Sequence, residues 1–168
     1  VNVKDYSFDA LYDRIGYVTQ QAVLFSGDLR ENVTFGESRG GTSDADVERA
    51  LELSQAAEFV HKLPDGIHSP IAEGGSNVSG GQKQRLSIAR ALARRPEILV
   101  FDDSFSALDY RTDARLRAGL AKELGQTTRL IVAQRIGTIR DADQIIVLDE
   151  GRVVGRGTHR ELMRTCPV

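Results

Sequence analysis

The sequence has one cysteine, Cys166, in 168 residues, so no disulfide can close within the chain; that usage fits a reducing compartment and an incidental thiol near a C-terminus. No apolar run approaches the roughly 18 residues that a membrane-spanning helix needs, and no secretory pattern opens the chain. Any membrane role has to come through a partner or through further chain. Neither sign of charge dominates. The formal net charge of −2 offers no electrostatic footprint for nucleic acid or for an anionic membrane. There is no repeat, no low-complexity tract and no initiator Met; Val1-Asn2-Val3-Lys4-Asp5 has the look of the middle of a domain. With 40% hydrophobic and 27% charged residues, what remains is enough for one globular domain with a real core.

Apolar periodicity and chain breakers predict the elements. Tyr6 to Asp13 is a short helix and Arg14 to Thr19 a strand. Leu29 to Phe35 is a helical turn, and Gly36 to Ser43 a Gly/Ser-rich loop. Ser43 suits an N-cap for a helix over Asp44 to Ser54, whose first-turn acids oppose the dipole. Helix resumes over Ala56 to Leu63 until Pro64-Asp65-Gly66 breaks it, and Ser69 to Asn77 is a polar loop. Ser79 opens a strong helix, Gly80 to Arg94, with Leu86, Ala89, Arg90 and Ala93 at helical spacing and Pro96 as its stop. Ile98-Leu99-Val100-Phe101, wholly apolar and ending in Asp102-Asp103, predicts a strand buried on both faces of a parallel sheet. Tyr110 to Leu124 is a helix, Thr128 to Ala133 a strand and Arg135 to Ala142 a short helix. Gln144 to Leu148 and Arg152 to Gly155 are strands around an Asp149-Glu150-Gly151 turn, and Thr158 caps a last helix, His159 to Arg164. The alternation predicts an α/β fold with a parallel sheet, and a helix-rich stretch from about 22 to 90 inserted between two of its strands. His61, His68 and His159 sit beside a turn or at a helix start and take structural or exposed roles.

Two segments carry chemistry. Ser79-Gly80-Gly81-Gln82 stands at a helix N-terminus, where free N–H groups and the positive dipole end favour an anion, and two glycines let phosphate approach the backbone. Taken alone, the same four residues also suit a Ser N-cap followed by a flexible joint. Asp102-Asp103 closes an apolar strand, where a carboxylate commonly holds Mg²⁺ through water in nucleotide hydrolases. Taken alone, it also suits a solvated acidic turn.

Together the motifs resemble one family. Val78-Ser79-Gly80-Gly81-Gln82-Lys83-Gln84-Arg85 resembles the signature of ATP-binding cassette (ABC) domains, Ile98 to Asp103 their Walker B strand, Ser106-Ala107-Leu108-Asp109 their D-loop and Tyr17-Val18-Thr19-Gln20 their Q-loop, in the family's order over nearly the whole chain. Gln20 to Phe25 followed by Leu29-Arg30-Glu31-Asn32-Val33 is similar to exporters, as are Ile71-Ala72-Glu73-Gly74-Gly75 and Gly155-Arg156-Gly157-Thr158-His159. The resemblance implies a three-layer P-loop NTPase core, with a helical subdomain at about 22–90 holding Q-loop and signature. Walker B, D-loop and switch region then belong to a RecA-like part at about 91–168. It implies ATP and Mg²⁺ as cofactors, and export across a membrane from its cytoplasmic face. It implies as partners a second nucleotide-binding domain and a transmembrane domain of the same full-length chain. Two such domains sandwich two ATPs head to tail. Ser79, Gly80, Gly81 and Gln82, with Asp109 of the D-loop, would then face nucleotide, the signature completing the partner's site. Gln20 and Asp102 would serve Mg²⁺, while Asp103 and Gln134 stand at the catalytic and switch positions.

Three departures from the family pattern qualify this. None of the four lysines follows a glycine, so no Walker A loop is present, and the resemblance places that loop and its first strands upstream of Val1. Asp103 stands where active relatives carry Glu. It is shorter by one methylene, about 1.5 Å, and a misplacement of about 1 Å can cost on the order of 10²-fold in rate. Gln134 stands where the family has a switch histidine, and it cannot become cationic or relay a proton. Asp103 and Gln134 belong to one half-site, so the expectation is a degenerate own site in a heterodimeric exporter. A fully active homodimeric exporter is the alternative, and those two residues weigh against it. A soluble non-transport ABC ATPase is weighed against by the exporter-like Q-loop region, and a purely regulatory ATP-binding domain by the intact signature. The absent Walker A loop yields a first test. By calorimetry this 168-residue chain alone is expected to show no tight ATP binding, and a micromolar affinity would overturn that expectation.

Overall fold

The structure, a computed structural model, describes residues 2–36 and 41–166, so residues 37–40 of the expected Gly36 to Ser43 loop lie outside it. The described residues separate into two compact units, those up to Val132 and those from Ala133 on. Among them no helix is long and apolar enough to cross a membrane.

The first unit holds helix α1 (Phe8–Tyr12), strands β1 (Ile15–Val18) and β2 (Gly27–Asp28), helices α2 (Leu29–Thr34), α3 (Asp44–Leu53) and α4 (Ala57–Val60), strand β3 (Pro70–Ile71), helix α5 (Gly80–Ala93), strand β4 (Ile98–Asp102), helix α6 (Tyr110–Glu123) and strand β5 (Thr128–Val132). β1, β4 and β5 form a parallel sheet with β4 in the middle, Tyr17 opposite Val100 and Asp102 opposite Val132. The stretch between β1 and β4 is mostly helical and returns to the sheet through α5. Local chemistry sets the helix starts. Asp28, Ser43 and Ser79 each accept from the backbone N–H three residues on, and Glu31, Asp46 and Gln82 reach back to close capping boxes.

The core is one buried cluster. Val18, Leu99 and Phe101 of the sheet meet Val47, Ala50 and Leu51 of α3, Leu86, Ile88, Ala89 and Leu92 of α5, and Leu116 and Leu120 of α6. The expectation that Ile98 to Phe101 is buried on both faces is corrected. Leu99 and Phe101 are fully buried, but Ile98 is 37% exposed and Val100 half-buried. Side chains alternate across a strand, and the face shared by Tyr17, Val100, Leu130 and Val132 stays open among the described residues. Two other expectations are corrected. The Ser69 to Asn77 loop contains β3, which pairs antiparallel with β2, and a 3₁₀ turn over Glu73–Gly75. Asn77 pins this loop by accepting from Ala72 N at 3.0 Å and donating to the Pro70 carbonyl at 2.8 Å. The Ala56 to Leu63 helix shortens to α4, which starts without a side-chain cap.

The second unit holds α7 (Ile136–Ile139), β6 (Ile145–Asp149), β7 (Arg152–Gly157) and α8 (His159–Thr165). β6 and β7 form an antiparallel hairpin whose two-residue turn has φ of 44° at Glu150 and 74° at Gly151, the hand that matches strand twist. Of the three histidines, His61 pairs with Glu48 at 2.8 Å and His68 lies 3.5 Å from Asp28, while His159 opens α8, all in keeping with structural roles.

Gly16 of β1 lies against α5 so closely that a Cβ there would meet Leu99 Cδ2 at 2.8 Å, Pro96 Cγ at 2.9 Å and the Ala91 carbonyl at 3.0 Å. Gly16→Ala is therefore expected to destabilise the fold by about 1–3 kcal/mol. Gly80→Ala, where a Cβ meets nothing within 4 Å, is the matched control. Equal denaturation midpoints for the two variants would contradict this packing.

Candidate nucleotide site

At the start of α5, Ser79 is extended (φ −69°, ψ 161°) and its Oγ accepts from Gln82 N at 3.3 Å, while its own N–H donates to Gln82 Oε1 at 2.8 Å. Accepting leaves the hydroxyl proton of Ser79 available to an incoming acceptor. The N–H groups of Gly80 and Gly81 make no hydrogen bond among the described residues. They are orphan donors of a helix 14 residues long. Ser79 and Gly80 are exposed, and a Cβ on Gly81 would lie 3.6 Å from the Ala107 carbonyl. The signature segment thus abuts the loop from Ser106 to Asp109. Its open N–H groups, hydroxyl and dipole end are of the kind that suits an anion such as a phosphate oxygen.

Asp109 ends that loop as the N-cap of α6. Its Oδ1 accepts from Thr112 N at 2.9 Å and its Oδ2 from Thr112 Oγ1 at 2.7 Å. The Thr112 hydroxyl, then the Thr112 backbone N–H, hold its carboxyl below the ordinary aspartate value. In this state the carboxylate caps α6.

The acids at the end of β4 face different partners. Asp102 Oδ2 accepts from the Tyr17 hydroxyl at 2.9 Å, and the carboxylate makes no other side-chain hydrogen bond among the described residues. That bond raises the Tyr17 phenol above its ordinary value. Asp103 has φ of 44°, a left-handed backbone that Asp tolerates better than most residues. Its N–H donates to the Val132 carbonyl at 3.0 Å, its carbonyl accepts from Ser106 Oγ at 2.7 Å, and its Oδ2 accepts from Gln20 Nε2 at 3.2 Å. Gln20 therefore stands beside Asp103 in a hydrogen bond, and Tyr17, which sequence reasoning missed, is the partner of Asp102. Register carries that signal: Tyr17 lies opposite Val100, on the face to which Asp102 belongs two residues on. Gln20, Asp102 and Asp103 carry oxygen ligands, the kind that Mg²⁺ requires. Gln134 lies in the second unit, two residues past β5.

The family model described as "ABC transporter" matches residues 1–106. An uncharacterized ABC transporter ATP-binding protein of Mycobacterium tuberculosis is 45% identical over 171 residues, covering 99% of this chain and 28% of the relative. An ATP-dependent lipid A-core flippase of Alkalilimnicola ehrlichii is 43% identical over 159 residues, 95% of this chain and 27% of the flippase. The solved structure of a bacterial Atm1-family ABC exporter with ATP bound superposes with a TM-score of 0.89 at 37% identity, over 96% of this chain and 28% of the exporter. The chain thus spans under a third of the length of the relatives it matches.

The Asp109 cap carries a pH signature. Its pKa is depressed on folding, so its contribution is present above the ordinary aspartate value of about 4 and is lost as pH falls through the lower folded value. Asp109→Asn keeps a good cap without a titrating group. The variant is expected to lose less stability than the parent below about pH 4. Parallel acid limbs in denaturation curves would contradict it.

Proposed function

The chain belongs to the ABC transporter family, and from that premise we propose that it is the ATP-binding part of a membrane exporter. It acts as one of a pair of nucleotide-binding domains at the cytoplasmic face of the plasma (inner) membrane, and the full-length protein carries the transmembrane domain. The flippase and the Atm1-family exporter among its relatives support that direction of transport.

One observation carries the reading. The α5 N-terminus has an exposed Ser79 and N–H groups at Gly80 and Gly81 that make no hydrogen bond among the described residues, which supports its receiving the γ-phosphate of a nucleotide held chiefly by a second domain. Ser79 and the two glycine amides donate to phosphate oxygens whose charge must be stabilised as the bond breaks. Gln82 keeps Ser79 oriented through the capping box, and Asp109 caps α6 at the end of the adjoining loop.

In the chain's own half-site, Asp102 and Gln20 would hold Mg²⁺, whose charge would offset that of a bound nucleotide's phosphates. Asp103, a short acid held by Ser106 and Gln20, stands at the family's water-polarising position in the sequence, and Gln134 stands at the sequence position of the family's switch histidine as a neutral donor. That pair supports a weak own site beside a competent partner site, hence a heterodimer. This chain alone turns over little ATP.

Steady-state ATPase of the assembled transporter tests the assignment. Ser79→Arg is expected to cut turnover on the order of 10²-fold, because it puts a bulky charge where phosphate must approach and removes the hydroxyl. Asp103→Asn is expected to change it by only about twofold. Near-complete loss with Asp103→Asn and little loss with Ser79→Arg would show the two sites assigned the wrong way round. Separately, Asp102→Asn is expected to weaken Mg²⁺-dependent nucleotide binding at this subunit's own site. Unchanged binding would remove Asp102 from the metal shell.

A further inference from the structure

The loop from Thr19 to Phe25, which carries Gln20, is held at both ends by side chains of α5. Near its start, Gln84 Nε2 donates to the Thr19 carbonyl at 3.2 Å. Gln84 is 1% exposed, so this bond forms out of water. Near its end, Arg90 Nη1 donates to the Val23 carbonyl at 2.9 Å. The same guanidinium reaches α2, with Nε on the Asn32 carbonyl at 2.7 Å and Nη2 on Asn32 Oδ1 at 3.2 Å. Asn32 in turn closes a pair of bonds with the Phe25 backbone, accepting from its N–H and donating to its carbonyl, each at 2.8 Å. The Arg90 guanidinium lies 5.3 Å from the Phe25 ring centre and 5.6 Å from that of Phe35, and the two rings sit 4.4 Å apart. Burial pushes the guanidinium below its ordinary value, yet an arginine stays charged, so this cation is satisfied by carbonyl oxygens and ring faces without a carboxylate.

α5 therefore begins at the phosphate cradle, touches the start of the Gln20 loop at Gln84 and fastens its end at Arg90. Gln84 is five residue steps from Ser79, about 7.5 Å at about 1.5 Å rise per residue. A rigid helix carries a displacement at one end to the other. We propose that Gln84 and Arg90 are positioning residues for ATP turnover, fastening both ends of the 19–25 loop to the signature helix so that Gln20 and Ser79 move as one body. Their bearing on turnover rests on the reading given under Proposed function; the clamp itself does not.

Two substitutions separate the clamp from general stability. Gln84→Met keeps length and burial but removes the donor to Thr19. Arg90→Lys keeps the charge but cannot serve Val23 and Asn32 at once. In the full-length transporter, amide hydrogen exchange over residues 20–25 is expected to quicken about tenfold in both variants, with exchange within α3 and α6 unchanged. The ATPase kcat is expected to fall about tenfold while KM for ATP stays within about twofold, the mark of lost alignment rather than lost binding. Unchanged exchange over 20–25, or exchange that rises equally over α3 and α6, would overturn the clamp. Quickened exchange with unchanged kcat would overturn its role in turnover. If the wild type hydrolyses no ATP, the proposed function falls, and exchange alone decides the clamp.

Discussion

The structure depends on one helix meeting two opposed demands. α5 must bury Leu86, Ile88, Ala89 and Leu92 in the core, yet keep its first turn bare. Burial of those side chains supplies the driving force that holds α5 against β1, α2 and α3. Gly16 allows the close approach on the sheet side, because any side chain there would strike Leu99, Pro96 or the Ala91 carbonyl. At the other end, glycine at 80 and 81 keeps the orphan N–H groups uncovered, and the Ser79–Gln82 capping box satisfies the rest of the turn without filling it. A helix anchored less firmly would present its dipole end in no defined place.

The chemistry divides along the same line. The α5 N-terminus is built of neutral donors and, on the proposed reading, takes a nucleotide brought to it. The β4 end is built of carboxylates and amide oxygen and suits a cation. Asp103 is stiffly held, with its backbone in the left-handed region and its carbonyl, N–H and carboxylate all engaged. A short side chain on so constrained a backbone has little freedom to make up the reach that a glutamate would have. That is the physical ground on which the proposal takes this half-site as the weaker one.

Much of this was legible in the chain itself. The Ser79 N-cap, the Pro96 stop and the apolar run into Asp102-Asp103 located α5 and β4 within a residue or so, because capping and proline sterics are local. The exposed face of β4 was not legible. Four consecutive apolar residues fit a strand buried on one face or two, and only pairing with β1 and β5 tells them apart. β3 escaped notice because Pro70–Ile71 is a two-residue ladder made by a partner 42 residues back, with no pattern of its own. Tyr17, Gln84 and Arg90 were hidden for the same reason. Each acts on a group distant in sequence, and a polar residue at a helical or strand position gives no sign of what it will meet. The left-handed Asp103 was equally silent, since nothing in Asp102-Asp103 distinguishes the second acid from a continuing strand.

The central claim is that the N-terminus of α5 receives the terminal phosphate of a nucleotide held across an interface. Amide exchange at Gly80 and Gly81 in the assembled transporter measures this directly, with and without Mg²⁺ and ATP. The account predicts strong protection of these two amides when ATP is bound to the assembly, and none when ATP is added to this chain alone. Nucleotide bound to the assembly with exchange at Gly80 and Gly81 unchanged would contradict it.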